Sequence, residues 1–462
     1  MAWIAVLAAT VALYYVKDSV PWAFKYPKSL IIPFSVWLND LMKWLMNSAD
    51  LGLFSFKEFT RFLSWIIEQP YHVVRSFLST GFLSGQGSYA VEVFPRVSWI
   101  AMIVGVVLLG RYAKDWKLAA LVGGCFIYLA IFDQWDSAMV TLSSIAIAVP
   151  FGVVGGLMLG IAGFRSKKFE TILIPILDLM QTVPVFAYLV PILIMFGFSP
   201  VSAMIATIIY AIAPMVRVTM LALQQVPAEV IEAGRMAGCT ERQLLWKVQL
   251  PSATHTLMVG VNQVVMLSLN MVIIASMIGA GGLGFDVLTA LKRLRIGEGI
   301  EAGLAITVLA IAVDRVSQAL ARRPPPVHGA KVGNWYERHP YTLIVLATII
   351  VTWALGLFMP VMDTIPDSIK LSTGTFWGDL VKYININYFD QLDAVKNFLL
   401  LNLMIPFKRF LLSLPWVGVV VMIALAGYQL GGARLAWLTG GLTISLAVVG
   451  LWAKAMVTVY LC

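Results

Sequence analysis

Charge is scarce in this sequence. Asp, Glu, Lys and Arg make up 12% of its 462 residues, about half the share usual in a soluble domain. That composition excludes an ordinary water-soluble enzyme. Histidine is scarce as well: His72, His255, His328 and His339 are the full set, and no two form a ligand pair at helical spacing. Cys125, Cys239 and Cys462 are scattered without metal or redox spacing, so neither a metal site, a disulfide nor any other cofactor is expected. No G-x-x-x-x-G-K-[ST] run occurs, and residues 279–284 (GAGGLG) lack the Lys-Ser/Thr that would follow a phosphate loop. That glycine run reads as a tight bend. No His/Asp/Glu or Ser/His/Asp set converges within the apolar segments, which makes a membrane-embedded enzyme the least favoured class.

Hydrophobic residues make up 60% of the chain, and the mean hydropathy is +0.86. This is the composition of an all-α polytopic membrane protein. The net charge of +9 is explained by basic cytoplasmic loops, and nucleic acid is not an expected partner. Residues 1–16 (MAWIAVLAATVALYYV) have no basic n-region and no evident cleavage site, so they read as a short uncleaved span. Residues 17–95 contain the stretches VWLNDLMKWLMN and FKEFTRFLSWIIEQPYHVVRSFL, whose aromatic and charged sides suit helices lying in the bilayer interface. Further spans are expected near 97–111, 118–133, 139–164, 171–197, 201–223, 254–280 and 301–320. The loops at 111–117, 165–170 and 321–323 are basic and fall on one side, whereas 133–136 (DQWD) is acidic and falls on the other. The basic run 291–295 (LKRLR) falls on the acidic side and departs from this rule.

A polar, Pro-rich stretch at 324–340 reads as a cytoplasmic linker, and after it the pattern starts again. A span at 341–359 matches the first one; an amphipathic stretch and spans near 415–430 and 435–452 follow. Asp40-Leu41-Met42-Lys43-Trp44 matches Asp379-Leu380-Val381-Lys382-Tyr383. Trp135 with Ala138-Met139-Val140-Thr141 matches Trp452 with Ala455-Met456-Val457-Thr458, and Pro95 and Pro415 both precede a span. The expectation is a tandem repeat, with about eleven spans in all. The last three belong to a second copy cut short at Cys462. The domains are then 1–94 (first span and amphipathic segment), 95–323 (core), 324–340 (linker) and 341–462 (incomplete second copy).

Between the spans 201–223 and 254–280 lies a polar island, residues 226–251, carrying Glu229, Glu232, Arg235, Glu241, Arg242 and Lys247. Ala228, Ile231, Met236 and Ala237 suggest the apolar face of a short helix. Gly238 suits its stop and Pro251 the start of the next helix. Glu232-Ala233-Gly234, Gly238 and Val248-Gln249-Leu250-Pro251 resemble the EAA loop of bacterial ABC importer permeases. Residues 177–197, 224–251 and 260–284 are similar to the glycine betaine/proline betaine permeases within that family, and the likeness covers most of 95–323. It implies a type I ABC importer permease fold in a bacterial inner membrane. The implied function is ATP-driven uptake of quaternary ammonium osmoprotectants, with a separate ATPase and a substrate-binding protein as partners. The second permease unit is either another chain or the fused repeat. In the family the loop is the coupling helix, which makes Glu229, Glu232, Ala233, Gly234, Gly238, Leu250 and Pro251 the ATPase-coupling residues here. Arg235 and Lys247 join the two glutamates as rim contacts.

Polar groups within the spans are costly unless paired or facing water. Asp178 and Gln181 share a helix face. They either line a path or, for Asp178, pair with a neighbouring helix or Lys168. Arg217 is close enough to the cytoplasmic end to snorkel. Pro184 and Pro191 interrupt a helix that carries Tyr188. Asn262, Gln263, Ser268, Asn270 and Ser276 put amides and hydroxyls along one span, either as interhelical hydrogen-bonding groups or as path lining. Phe186, Tyr188 and Tyr210 are candidates for a weak cation–π transit site. The candidate translocation set is Asp178, Gln181, Pro184, Tyr188, Asn262, Gln263 and Asn270. Two other functions remain open: a non-transporting remnant, and an ion-coupled secondary transporter that would need no ATPase.

Overall fold

In apolar surroundings the backbone must satisfy its own hydrogen bonds, which restricts this chain to helices almost throughout. The computed structural model describes residues 2–17, 19–50, 52, 54–84, 91–276, 278–323, 340–356 and 358–461. Except for Pro340, the expected linker lies outside the described residues. The first helices are α1 (Ala2–Tyr15), α2 (Phe34–Asn47) and α3 (Phe56–Arg75). An antiparallel hairpin follows, β1 (Phe82–Ser84) and β2 (Val91–Phe94), with Phe82 opposite Phe94. Then come α4 (Trp99–Ala113), α5 (Trp116–Ile131), α6 (Trp135–Arg165), α7 (Lys167–Thr182), α8 (Val185–Phe196) and α9 (Pro200–Gln224). The island contributes α10 (Ala228–Met236). It leads to α11 (Thr254–Asn270), α12 (Val272–Ser276), α13 (Leu283–Lys292) and α14 (Ile296–Ala321). The last part holds α15 (Pro340–Gly356), α16 (Gly374–Asn387), α17 (Phe389–Asn397), α18 (Ile405–Ser413), α19 (Trp416–Val448) and α20 (Trp452–Leu461).

The chain divides into two compact units, residues 50–381 and residues 1–49 with 382–462. The core of the first is the packing of α6, α9 and α11, and glycines permit it. Gly152, Gly156 and Gly160 recur every fourth residue on α6. A Cβ on Gly156 would lie 2.5 Å from the Cβ of Met215, and one on Gly160 would lie 2.5 Å from that of Thr219. From the other side a Cβ on Gly260 of α11 would lie 2.7 Å from the Met215 sulfur. Close approach at small residues is how membrane helices gain van der Waals contact without a hydrophobic driving force between them.

Several expectations change on contact with the fold. The stretch 56–78 is not confined to an interface. Ser55 and Glu58 form a capping box that starts α3, and Ile67 and Tyr71 are buried in a cluster with Leu189, Met204 and Met271. An apolar stripe meets lipid or neighbouring helices equally well, and here it meets helices. The span expected at 171–197 is bent by 101° between α7 and α8. Pro184 makes that break, whereas Pro191 sits inside α8. The span expected at 254–280 is interrupted at Met271. The spans expected at 415–430 and 435–452 form one helical run, bent at Gly431 and Gly432 (φ 73°) and ending at Val448.

By length and composition, four helices among the described residues can cross a membrane: α6, α9, α14 and α19; the bent pair α7–α8 is a fifth. Apolar stretches in α1, α4, α5 and α15 are 10–17 residues long, and fifteen residues of helix reach only about 22 Å. Several of the roughly eleven expected spans are therefore short of a bilayer core of about 30 Å.

Candidate coupling and translocation site

The island folds by local rules. Pro227 precedes α10, Glu229 lies in its first turn and Arg235 in its last, both matched to the helix dipole. Gly238, at φ 80°, takes the left-handed conformation that ends the helix. Its N–H donates to the Arg235 carbonyl at 2.9 Å, and that of Cys239 donates to Gly234 at 3.2 Å. Arg235 and Glu241 face each other across the turn at 3.6 Å. Thr240 and Gln243 form a second capping box. A π-helical segment, Leu244–Gln249, leads to Leu250 and Pro251 at the start of the next short helix.

Gly234 is buried because the returning segment lies on it. A Cβ there would lie 2.7 Å from the Leu244 Cδ1. This contact corrects the expected apolar face of α10. Met236 is 84% exposed, and Ala228 and Ala237 are exposed too. Of the expected face Ile231 does pack, joined by Val230, against a cluster containing Leu223 and Leu245. The exposed surface of the loop thus carries Glu229, Glu232, Ala233, Met236 and Gly238, with Trp246 49% exposed on the returning segment. Leu250 is half-buried and Pro251 exposed. Met236, expected on a packed face, and Trp246, which the sequence did not single out, are large apolar side chains exposed on the loop. A large apolar residue in an otherwise charged loop was their available signal.

Within the helices, Asp178 of α7 accepts a hydrogen bond from the Arg217 Nη2 of α9 at 2.5 Å. The neighbouring-helix reading of Asp178 therefore holds, with Arg217 as the partner in place of Lys168, and Arg217 is paired within the fold as well as placed to snorkel. Gln181 and Pro184 are exposed. Tyr188 is half-buried, with a hydroxyl that has no hydrogen-bond partner. Asn262 is half-buried; its amide nitrogen is 3.7 Å from the Met266 sulfur and its oxygen is unpartnered. Gln263 and Asn270 are exposed. Among the described residues no hydrogen bond or ion pair joins the Asp178–Arg217 pair to Asn262, Gln263 or Asn270. The set is two separate groups. A small, largely apolar cleft lies between α6, α9 and the break after α11; Ile145, Ala148, Ala203 and Met204 line it, with hydroxyls from Thr141, Ser144, Thr207, Ser268 and Ser276. Of these the sequence singled out Ser268 and Ser276 alone. The glycine bend closes the cleft: Gly282 (φ 73°) lies against Thr141, whose hydroxyl accepts from the Leu283 N–H at 3.0 Å.

Long apolar helices, one pair of them sharply bent and two of them joined by a folded charged loop, define a multi-pass membrane protein. Residues 152–324 match the model of the binding-protein-dependent transport system inner membrane component family. The chain is 33% identical, over 92% of its length, to a trimethylamine N-oxide transport system permease protein of Pelagibacter ubique. It is 32% identical, over its full length, to the protein of the same description from Ruegeria pomeroyi. It spans 63% and 68% of the lengths of these two relatives. A glycine betaine/proline betaine transport system permease protein of Escherichia coli is 38% identical over 68% of this chain and 84% of its own length. The chain belongs to the family of binding-protein-dependent inner membrane transport components, among its betaine-type ABC permeases.

Proposed function

We propose that the chain is the membrane-spanning component of an ATP-driven importer for small methylated-amine osmolytes, in a bacterial inner membrane. The reading rests on one observation above the rest. Between α9 and α11 stands a folded loop whose exposed face combines Glu229, Glu232, Ala233 and Met236 with a glycine-stopped helix end. Such a loop can dock on a separate ATPase and pass its motion to the two helices that hold it. The relatives are described as permeases for trimethylamine N-oxide and for glycine betaine/proline betaine, and this chain's cargo is taken to be of that class. A binding protein delivers the cargo; the chain itself performs no chemical step.

Uptake of labelled glycine betaine and trimethylamine N-oxide into vesicles tests this. The vesicles contain the chain with its neighbouring ATPase and binding protein. Uptake of either compound should require ATP and stop when the ATPase is left out. Uptake that persists without the ATPase and collapses with an uncoupler would establish the ion-coupled alternative. A folded chain that takes up neither compound with both partners active would sink the proposal.

A further inference from the structure

Two hydrogen bonds in one compact unit have counterparts at matching positions in the other. In the unit formed by residues 1–49 and 382–462, the Trp416 indole N–H donates to the Trp22 carbonyl at 2.8 Å. The Ile32 N–H donates to the Val448 carbonyl at 2.9 Å. In the unit 50–381, the Trp99 indole donates to the Val361 carbonyl at 3.1 Å, and the Leu371 N–H donates to the Ile131 carbonyl at 2.7 Å. The matched motifs fix the correspondence. Keeping the spacing that pairs Asp40 with Asp379, Trp22 falls on Val361 and Ile32 on Leu371. Keeping the spacing that pairs Trp135 with Trp452, Trp99 falls on Trp416 and Ile131 on Val448. The same register puts Ser98 opposite Pro415, which replaces the expected match of Pro95 with Pro415.

Each of these bonds joins the first helix and elbow of one copy to the helix pair of the other. We infer that the two copies exchange their N-terminal arms within the chain. Residues 340–356 and 358–373 occupy the surface made by α4 and α5 of the first copy, and residues 2–17 and 19–33 occupy the equivalent surface of α19. The helix pair of each copy is thus an interaction surface whose partner is a second permease copy's arm.

Independent features of each unit agree. Gly105 of α4 faces Val345 of α15, whose Cγ1 would lie 3.8 Å from an added Cβ. Gly418 of α19 faces Thr10 of α1, with 3.2 Å to its Cβ. The elbow of the second arm carries polar anchors. Lys370 pairs with Asp133 at 3.0 Å. The Glu301 side chain, 4% exposed, accepts from the Thr373 N–H at 2.9 Å and the Ser372 hydroxyl at 3.0 Å. A buried carboxylate is costly unless its oxygens are satisfied, and the other copy's arm satisfies this one. The inference rests on the tandem-repeat reading and does not depend on the cargo or the ATPase.

Cysteine pairs in the full chain test it, with Cys125, Cys239 and Cys462 replaced by Ser and a protease site inserted in the 324–340 stretch. The exchanged pairs are Gly105→Cys with Val345→Cys, and Thr10→Cys with Gly418→Cys. The own-copy pairs are Gly105→Cys with Val6→Cys, and Ile349→Cys with Gly418→Cys. After oxidation and cleavage, the exchanged pairs should hold the two fragments together on a non-reducing gel, and the own-copy pairs should form no bond by mass spectrometry. Own-copy bonds, or a bond joining two chains before cleavage, would overturn the inference. If a cysteine variant fails to fold, carbodiimide coupling of the unmodified chain serves. Coupling of Lys370 to Asp133 supports the exchange, and coupling of Lys28 to Asp133 refutes it.

Discussion

Helices α9 and α19 are both long and apolar, yet 61% of the membrane-length window of α9 is buried in the fold against 22% for α19. Hydropathy does not separate them. What separates them is where the small residues lie. The glycine row of α6 lets Met215 and Thr219 of α9 lie against its backbone, so α9 is enclosed by protein. Gly432 and Gly441 of α19 have nothing within 4 Å of an added Cβ. In a bilayer, apolarity decides that a helix enters, and small faces decide which neighbour it keeps.

The largest effect is expected from overfilling the enclosed region. Gly156→Leu should cost about 1–3 kcal/mol or more and strip the chain of its thermal transition in detergent, whereas Gly441→Leu should leave the transition in place. Equal losses would remove the distinction between the two regions. Next comes Gly238→Asp, which keeps the fold but should leave ATP hydrolysis running without uptake. Gly432→Asp imposes a similar left-handed strain, on the order of 1 kcal/mol, on a residue outside the loop and should leave uptake coupled. Normal uptake by the Gly238 variant would remove the loop from the mechanism.

A smaller effect attends the Asp178–Arg217 pair. Arg217→Ala should lower stability by about 1 kcal/mol, and combining it with Asp178→Asn should recover part of the loss. Arg434→Ala on α19 serves as the comparison and should be neutral. The smallest effect is in pH dependence. Hydrogen bonds donated by Lys370 to Asp133 and then to Asp367 raise its pKa above its ordinary 10.5. A raised lysine stabilises fully below that ordinary value and loses its contribution as pH climbs through the folded one. For a surface pair this is about half a kcal/mol or less. The Lys396 hydrogen bond instead lowers the Asp393 pKa from 3.8, a contribution present above that value and lost as pH falls through the lower one. Thermal melts at alkaline and acid pH should therefore weaken the two units at opposite ends of the scale. Identical pH profiles for Lys370→Ala and the parent chain would refute the first half.

The loop was legible because its punctuation is local: Pro227, Gly238, the Thr240–Gln243 box and Pro251 act within a few residues of themselves. The glycine bend at 279–284 was legible for the same reason. The burial of α3 was not, since a periodic apolar stripe reads the same whether lipid or Met204 lies opposite. The exposure of Met236 depends on Leu244 reaching Gly234, a contact that helical periodicity within 228–237 does not register. Asp178 required a partner on physical grounds, but only the packing of α7 on α9 selected Arg217. The hairpin β1–β2 escaped notice because its strands are three and four residues long within a stretch dominated by helical patterns.

The π-helical segment Leu244–Gln249 has a consequence for how the loop tolerates change in length. A π turn holds more residues than an α turn, so this segment stores slack. Removing one residue there would let the backbone relax to α geometry and leave Pro251 at its helix start. The same deletion in α9 or α11 would rotate every later side chain by roughly 100° about the axis and scramble the faces that meet at Met215. The loop is therefore a place where this chain can lose a residue and keep both of the long helices it joins.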